Sequence, residues 1–248
     1  MSSQSPDRAP SPSTGQAPSV TPVTSLEDPR AITLLTTEHW SLLSARSLAY
    51  NEAFARGGMF LSFLSMSFVA LALLSQAMTF GDQFLTVTAV VLAFDLVIGL
   101  TTYGRINGAN VDDLRAVHGM ARIRHAYTEI APLVDRYFTT PTHDDIPSLM
   151  SAYGAPSAST PGGNLLYGLT TSGGMIGLIT SMVGGVLAAV MALILGVDGS
   201  AAIWVGVAGT ILMLVGLVIL TFGRIPHHQA ALGVLFPRDE RPAPDRPE

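Results

Sequence analysis

The chain has 248 residues, of which 48% are hydrophobic and 12% are charged, and its mean hydropathy is positive. Soluble globular domains carry about 25% charged residues, so this composition disfavours a soluble protein. The absence of cysteine excludes disulfides, thiolate metal sites and cysteine nucleophiles. The formal net charge of −5 argues against a general nucleic-acid binder.

Four stretches are long enough to cross a bilayer, for which a helix needs about 20 apolar residues. They are Gly57–Gly81, Phe84–Gly104, Gly173–Leu195 and Ala201–Gly223, and the charged residue that they contain is Asp95. Very short connections join the first stretch to the second and the third to the fourth. We therefore predict an all-α integral membrane protein with two antiparallel transmembrane hairpins and amphipathic cytoplasmic helices.

Arginine placement predicts the orientation, because cytoplasmic flanks of membrane proteins hold the positive charge. The two short turns carry the acids Asp82 and Asp198, whereas every arginine lies at the opposite ends of the spans or in the tails. The sequence therefore predicts a protein of the cell inner membrane, embedded in the lipid bilayer, with both termini in the cytoplasm.

The two ends of the chain are rich in Pro and polar residues, a composition that buries too little apolar surface to offset the cost of ordering. We expect them to be tails without a packed fold. The predicted order of segments is a disordered tail (1–30), an amphipathic helix (31–56), the first hairpin (57–104), a cytoplasmic helical region and loop (105–164), the second hairpin (165–225) and a tail (226–248).

An amphipathic helix is predicted before the first span, with Thr36 as its N-cap and Arg56 near its end. Two placements are open for it, on the membrane surface or docked against the rest of the protein. The docked placement is favoured, because a helix lying on a membrane usually carries abundant Lys or Arg. Its apolar stripe is expected to contain Trp40, Leu43, Ser47, Tyr50 and Phe54.

A second helix is predicted after the second span, with Asn110 as cap and Asp112 and Asp113 on the positive end of the helix dipole. Pro132 should interrupt it. Its arginines and acids are typical of a solvated face. Its heptad seam favours contact with another protein, and the residues that we predict to bind such a cytoplasmic partner are Ile123, Tyr127 and Ile130.

A short helix is also predicted from Ile146 to Tyr153, with a cap at Asp144 or Asp145. The run His143-Asp144-Asp145 has metal-ligating residue types. Neighbouring residues rarely converge on one ion, however, so the cap is the favoured interpretation. We expect no metal site here.

Small residues recur every four positions along the third span. This spacing lets two helix backbones approach closely, which is a principal source of helix association in lipid. Packing against the fourth span is the simpler interpretation, and contact within a homo-oligomer is the alternative. The residues concerned are Gly173, Gly177, Ser181, Gly185 and Ala189.

Asp95 is the candidate functional residue of the spans. It lies eleven residues after Phe84 and eight before Tyr103, which places it near the bilayer midplane. A carboxylate there costs about 3 kcal/mol or more, so it should be protonated, paired or wetted by a cavity. One interpretation is a proton or cation site in a pore or transport path, and the other is a protonated residue that bonds two helices. The candidate polar partners are the same residue of other subunits around an axis, or hydroxyls of the spans: Ser62, Ser65, Ser67, Ser75, Thr86, Thr88 and Thr180. Of these, Ser62, Ser65 and Thr88 are the ones that we assign to the ion path.

Enzyme motifs are missing: the sequence has no nucleophile elbow, two-histidine zinc motif or cofactor fingerprint, so we expect neither catalysis nor a cofactor. The leading hypothesis is an oligomeric pore, channel or transporter for a small ion, with Asp95 in the path. The alternative is a non-conducting membrane scaffold or signalling partner that acts through its cytoplasmic helices.

Two resemblances accompany these hypotheses. The segments Leu35–Leu43, Tyr50–Phe54, Met120–Tyr127 and His143–Asp145 resemble a widespread group of uncharacterised membrane proteins from GC-rich bacteria, a likeness that covers most of the chain except the tails. It implies a multi-pass membrane protein and no particular activity. In layout alone, the first half is also similar to the two-span SLATT effector modules of bacterial nucleotide-signalling defence, which are associated with membrane pores. The second hairpin departs from that layout.

Overall fold

The structure is a computed structural model that describes residues 23–78, 81–153, 168 and 171–238, apart from the side chains of residues 222–232. The regular structure of these residues is helical. The α-helices are α1 (Pro29–Ala77), α2 (Asp82–Ile130), α3 (Ile146–Ala152), α4 (Ser172–Ile194) and α5 (Gly199–Leu232), and a 3₁₀ segment covers Pro132–Tyr137.

Four of these helices, namely α1, α2, α4 and the Gly199–Thr221 part of α5, are long and apolar enough to cross a membrane. The prediction of an all-helical chain with four such helices is confirmed. With 49 residues each, α1 and α2 extend over about 73 Å at 1.5 Å per residue, more than twice the thickness of a hydrocarbon core. Each therefore has an apolar part and a long part outside it.

Two predicted helix starts are wrong. Neither Thr36 nor Asn110 is a cap, because each lies inside an unbroken helix. The first helix instead begins at Pro29, where the Asp28 side chain accepts a hydrogen bond of 2.9 Å from the Arg30 backbone N–H. Polar residues with cap preference are tolerated inside a helix when its neighbours continue to pack, so cap chemistry alone misplaces these boundaries.

The packing of α1 against α2 follows a single stripe of α1. Contacts pair Arg46 with Asp113 and Ser67 with Asp95, so the residue number falls in α2 as it rises in α1. The predicted stripe of α1 is wrong, because Trp40, Leu43 and Phe54 are exposed. The buried and half-buried stripe follows an ideal helical spacing and consists of Ala31, Leu35, His39, Leu42, Arg46, Ala49, Ala53, Gly57, Phe60, Leu64 and Ser67.

Helix α2 is central, since α1 and α4 both pack against it and α4 packs against α5. Two apolar clusters lie along it. The larger includes Phe60, Leu92 and Ile176, and the smaller joins Met120 with Leu149 of α3. The continuous central helix therefore connects the apolar part of the fold to the part outside it.

The predicted features after α2 are confirmed. The helix ends at Ile130, and Pro132 opens the 3₁₀ segment. The side chain of Asp145 caps α3 by accepting a hydrogen bond of 2.8 Å from the Ser148 N–H. At the same end of the fold, Gly233 terminates α5 with a φ of 58°, a conformation that favours glycine.

Candidate ion site and surrounding polar clusters

Asp95 lies in the interface between α1 and α2 and is 3% exposed. Its Oδ1 accepts a hydrogen bond of 3.0 Å from the Ser67 hydroxyl. Its Oδ2 is buried and has no hydrogen-bond partner among the described residues. A buried carboxyl with an unused oxygen is costly, because desolvation of that oxygen is not repaid by a bond.

The surroundings of Asp95 contain further hydroxyls with the same property. Thr88 lies two turns earlier on the buried face of α2, and Gly99 lies one turn later. A Cβ added at Gly99 would stand 2.7 Å from the Thr180 hydroxyl of α4. Within the described part of the chain, neither the Thr88 nor the Thr180 hydroxyl has a hydrogen-bond partner. Three unpartnered oxygens therefore lie along one face of α2.

Two of the predicted serine partners of Asp95 are placed elsewhere. Ser62 and Ser65 are exposed on the outer side of α1, and the Ser62 hydroxyl donates to the Gly58 carbonyl within its own helix. Ser67, another of the predicted serines, is the one that donates to Asp95. A sequence signal for it exists, since Ser67 continues the stripe that contains Phe60 and Leu64, whereas Ser65 does not.

The small residues of α4 lie on two different neighbours. A Cβ at Gly177 would meet the Tyr103 ring of α2 at 2.7 Å, and one at Gly185 would collide with the α5 backbone at Gly206. Ser181, which is fully buried, donates to the Gly177 carbonyl at 2.7 Å. The remaining residues of the predicted set follow the same division: Gly173 faces Asn107 and Asn110 of α2, and the Ala189 methyl group faces Gly206 of α5.

Tyr103 connects α2 to α5 beside this packing. Its hydroxyl donates to the Leu217 carbonyl at 3.2 Å and lies 2.6 Å from the Thr221 hydroxyl. A tyrosine ring packed against glycine needs a polar partner for its hydroxyl, and α5 supplies it. This contact was not predicted, because its two residues are 114 positions apart in sequence and meet only through the packing of α2 and α5.

A second buried carboxylate, Asp113, lies on the part of α2 beyond the apolar window and is 2% exposed. It forms an ion pair with Arg46 and accepts hydrogen bonds from the hydroxyls of Tyr50 at 3.0 Å and Tyr153 at 2.6 Å. Burial and the bond to Asp113 raise the pKa of Tyr153, which keeps its hydroxyl protonated. The prediction of a solvated helix-start acid is wrong for Asp113, whereas Arg115 and Asp112 do form an exposed pair.

A third carboxylate, Asp144, has a side chain with no exposed surface. It accepts from Arg122 at 2.9 Å and lies 3.2 Å from the His118 ring nitrogen. Backbone N–H groups of Leu235 and Phe236 complete its contacts at 3.0 and 2.8 Å. Burial opposes ionisation, but the two N–H groups with Arg122 and His118 outweigh it and lower the pKa of Asp144 to about 2.

The predicted partner-binding residues are largely used within the chain. Ile123 is buried, Ile130 is half-buried, and the Tyr127 hydroxyl lies 3.4 Å from that of Thr36. The arginines of this helix are also engaged: Arg124 is half-buried and donates to the Pro141 carbonyl at 3.2 Å. Burial and the nearby Arg46 lower the pKa of Arg124.

Comparisons with known proteins add no assignment, since no protein-family model, curated protein or solved structure matches the chain. Within the described ranges, no group of three or more His, Asp and Glu side chains is arranged to hold a metal ion. The candidate site is therefore defined by its own geometry: Asp95, its donor Ser67, and the hydroxyls of Thr88 and Thr180.

Proposed function

We propose that this chain is a multi-pass inner-membrane protein that conducts or transports a proton or small cation through a path that includes Asp95. The single observation that carries the proposal is the buried Oδ2 of Asp95, which has no hydrogen-bond partner among the described residues and lies in stretches that contain no Lys, Arg or His. Ionisable groups inside a membrane are expensive, and proteins use them in ion pathways and proton relays. Thr88 and Thr180 add two buried hydroxyls to the proposed path, where they could relay a proton through hydrogen bonds or coordinate a small cation.

The membrane arrangement in this proposal is two antiparallel hairpins with both termini in the cytoplasm. The arginines of α1 and α2 outside the apolar windows support it, because they form one positive side opposite the acidic turns. Arg56 and Arg105 both pair with Glu52 at that boundary, at 3.1 and 2.8 Å, which places polar contacts where α1 and α2 would leave the lipid.

Assembly as a homo-oligomer belongs to the same proposal. The apolar outer faces of α1 and α5 are exposed in the single chain, and Phe63, Phe68, Trp204 and Leu212 are among their side chains. Lipid covers such faces equally well, so native mass spectrometry in lipid nanodiscs is the measurement that separates a monomer from an assembly. A strictly monomeric protein would exclude a path along an oligomer axis and leave one within the four helices.

Ion flux in proteoliposomes tests the function. We expect flux from the wild-type protein, driven by a pH gradient or by a gradient of a monovalent cation, and near-complete loss in Asp95→Asn. Ser67→Ala should lower flux less, since it removes one donor and leaves the carboxyl. The matched control is Ser65→Ala, which deletes an exposed hydroxyl two residues away on the same helix.

The cation and proton alternatives are separated by the same assay. A proton path predicts flux that follows the pH gradient and is indifferent to the cation supplied. A cation path predicts selectivity among monovalent ions. Absence of flux from folded protein of known orientation under every gradient would overturn the proposal.

A membrane scaffold is the second candidate, and one observation favours it. The outward side of α1 beyond its apolar window exposes Trp40, Leu43, Leu48 and Phe54, so a partner protein would meet this side before Ile123. Crosslinking from Trp40 compared with Ile123 in native membranes tests it. A partner captured at Trp40 alone supports a scaffold, and no captured partner at either position rejects it.

A further inference from the structure

The chain beyond α5 binds where α2 and α3 meet. We call residues Gly233–Arg238 the C-terminal segment. Two hydrogen bonds join Asp144 to Phe236. The Phe236 N–H donates to Asp144 Oδ1 at 2.8 Å, and the Asp144 N–H donates to the Phe236 carbonyl at 3.2 Å. The Leu235 N–H donates to Asp144 Oδ2 at 3.0 Å. The Asp144 carboxylate therefore binds two successive backbone N–H groups of the segment.

Three further contacts complete the groove that receives the segment. Arg122 donates to the Gly233 carbonyl at 2.8 Å, and Asp145 accepts from the Arg238 N–H at 2.7 Å. The Phe236 ring stacks on His125 with a centroid distance of 4.0 Å. We call Arg122, His125, Asp144 and Asp145 the receptor groove. It recognises backbone groups at four positions of the segment and one aromatic side chain.

The balance of contacts indicates that the segment can detach. Val234 is 51% exposed and Leu235 is 63% exposed, so their apolar side chains contribute little to docking. The hydrogen bonds replace bonds to water, so only a small part of their strength is a net gain, which suits a local opening of the segment. The groove itself does not depend on the segment, because Arg122 and His118 still bond Asp144 and Asp145 still caps α3.

We propose that the C-terminal segment is a reversible latch, and that its docking in the receptor groove fixes the end of α5 to α2 and holds the ion path closed. The latch stands on the contacts of residues 233–238 alone. Its effect on flux rests on the proposed function and on the contact in which the Tyr103 hydroxyl of α2 donates to the Leu217 carbonyl of α5, so that a displaced α5 would disturb α2 at Tyr103.

Distance measurement by electron paramagnetic resonance tests docking directly. The chain has no cysteine, so spin labels at Leu133→Cys and Leu235→Cys, two exposed positions, report on the segment alone. We expect one narrow distance distribution in lipid nanodiscs for the otherwise unchanged protein. Asp144→Ala should broaden it, and so should Phe236→Ala, which leaves the groove intact. Asp112→Ala is the matched control, because that carboxylate bonds Arg115 on the exposed side of α2.

Flux measured on the same variants tests closure. We expect Asp144→Ala and Phe236→Ala to raise flux severalfold and Asp112→Ala to leave it unchanged. Distances that stay narrow in both folded variants would overturn the latch. Broadened distances with flux equal to the parent would overturn its closing role. Broadened distances with no flux from any protein, the parent included, would leave docking supported and would instead count against the proposed function.

Discussion

Buried carboxylates along the two halves of α2 differ in how many hydrogen-bond donors surround them. Outside the apolar window, Asp113 receives an arginine and two tyrosine hydroxyls, and Asp144 beside it receives an arginine, a histidine and two backbone N–H groups. Inside the window, Asp95 accepts one hydrogen bond from Ser67, and its other oxygen has no partner among the described residues. A saturated carboxylate stabilises a fold, whereas an open one costs stability and is retained where it has another task. The contrast separates architecture from candidate function.

The strongest way to break this contrast is to remove a saturated carboxylate. Asp113→Asn leaves the half-buried Arg46 without its counter-charge and weakens the bonds to Tyr50 and Tyr153, so we expect a loss of about 3 kcal/mol in the free energy of unfolding, the lower end for a broken buried pair. Thermal unfolding in detergent, followed by circular dichroism, measures it. The control Asp112→Asn should change stability by less than about 0.5 kcal/mol. Equal effects of the two substitutions would contradict the structural role of Asp113.

The next effect concerns the close approach of α4 and α5. A Cβ at Gly185 would collide with the Thr210 side chain and with the Gly206 carbonyl, and backbone cannot move aside cheaply. We expect Gly185→Ala to destabilise the protein by up to about 3 kcal/mol. Gly216→Ala is the matched control on α5, since nothing lies within 4 Å of a Cβ there. A stable Gly185→Ala protein would show that α4 and α5 do not approach as described.

Lowering the pH tests the stabilising role of the Asp144 charge. The folded protein holds the pKa of Asp144 at about 2, below the ordinary value of 3.8, so its stabilisation is complete above 3.8 and is lost as the pH falls towards about 2. The shift corresponds to about 2 kcal/mol. Unfolding free energies of the wild type and Asp144→Asn, measured across this range, should converge as the pH falls. A constant difference between the two proteins would show that the charge of Asp144 is not stabilising.

The smallest effect is expected at the open site. Ser67→Ala removes one hydrogen bond to a carboxyl that is already under-bonded, so the loss of stability should be about 1 kcal/mol. Asp95→Asn should change stability by no more than that, although it is expected to abolish flux. Guanidinium unfolding in detergent compares both with Ser65→Ala. A loss at Asp95→Asn as large as that of Asp113→Asn would identify Asp95 as a structural residue.

Sequence patterns predict the helices of this fold better than they predict which face of each helix is buried. Apolar length places four candidate spans, Pro132 ends α2, and Asp145 caps α3. The stripe of α1 was misjudged because its packing face is built from small and polar residues such as Arg46, Ala53 and Gly57, while large apolar residues lie outside. In a chain that meets lipid or other apolar surroundings, large apolar residues no longer indicate the core.

The candidate site could be located from sequence only in part. Asp95 stands out as the single charge in four apolar stretches, and Thr88 shares its helix face. The partners of Asp113 and Asp144 come from residues 22 to 92 positions away, so they follow from tertiary packing rather than from local spacing. The same holds for the C-terminal segment, which composition predicts to be a tail and which in the structure binds to Arg122 of α2 and to Asp145, the cap of α3.

The unbroken course of α2 has a mechanical consequence. Asp95 and Arg122 are 27 residues apart on one helix, a separation of about 40 Å at 1.5 Å per residue. A tilt of about 5° about a pivot near Asp95 would displace Arg122 sideways by about 3.5 Å, more than the length of its bond to Asp144. Spanning helices tilt when the thickness of the bilayer changes. In the proposed membrane arrangement, a change in lipid composition would therefore alter the contact of Arg122 with Asp144 at the far end of the helix.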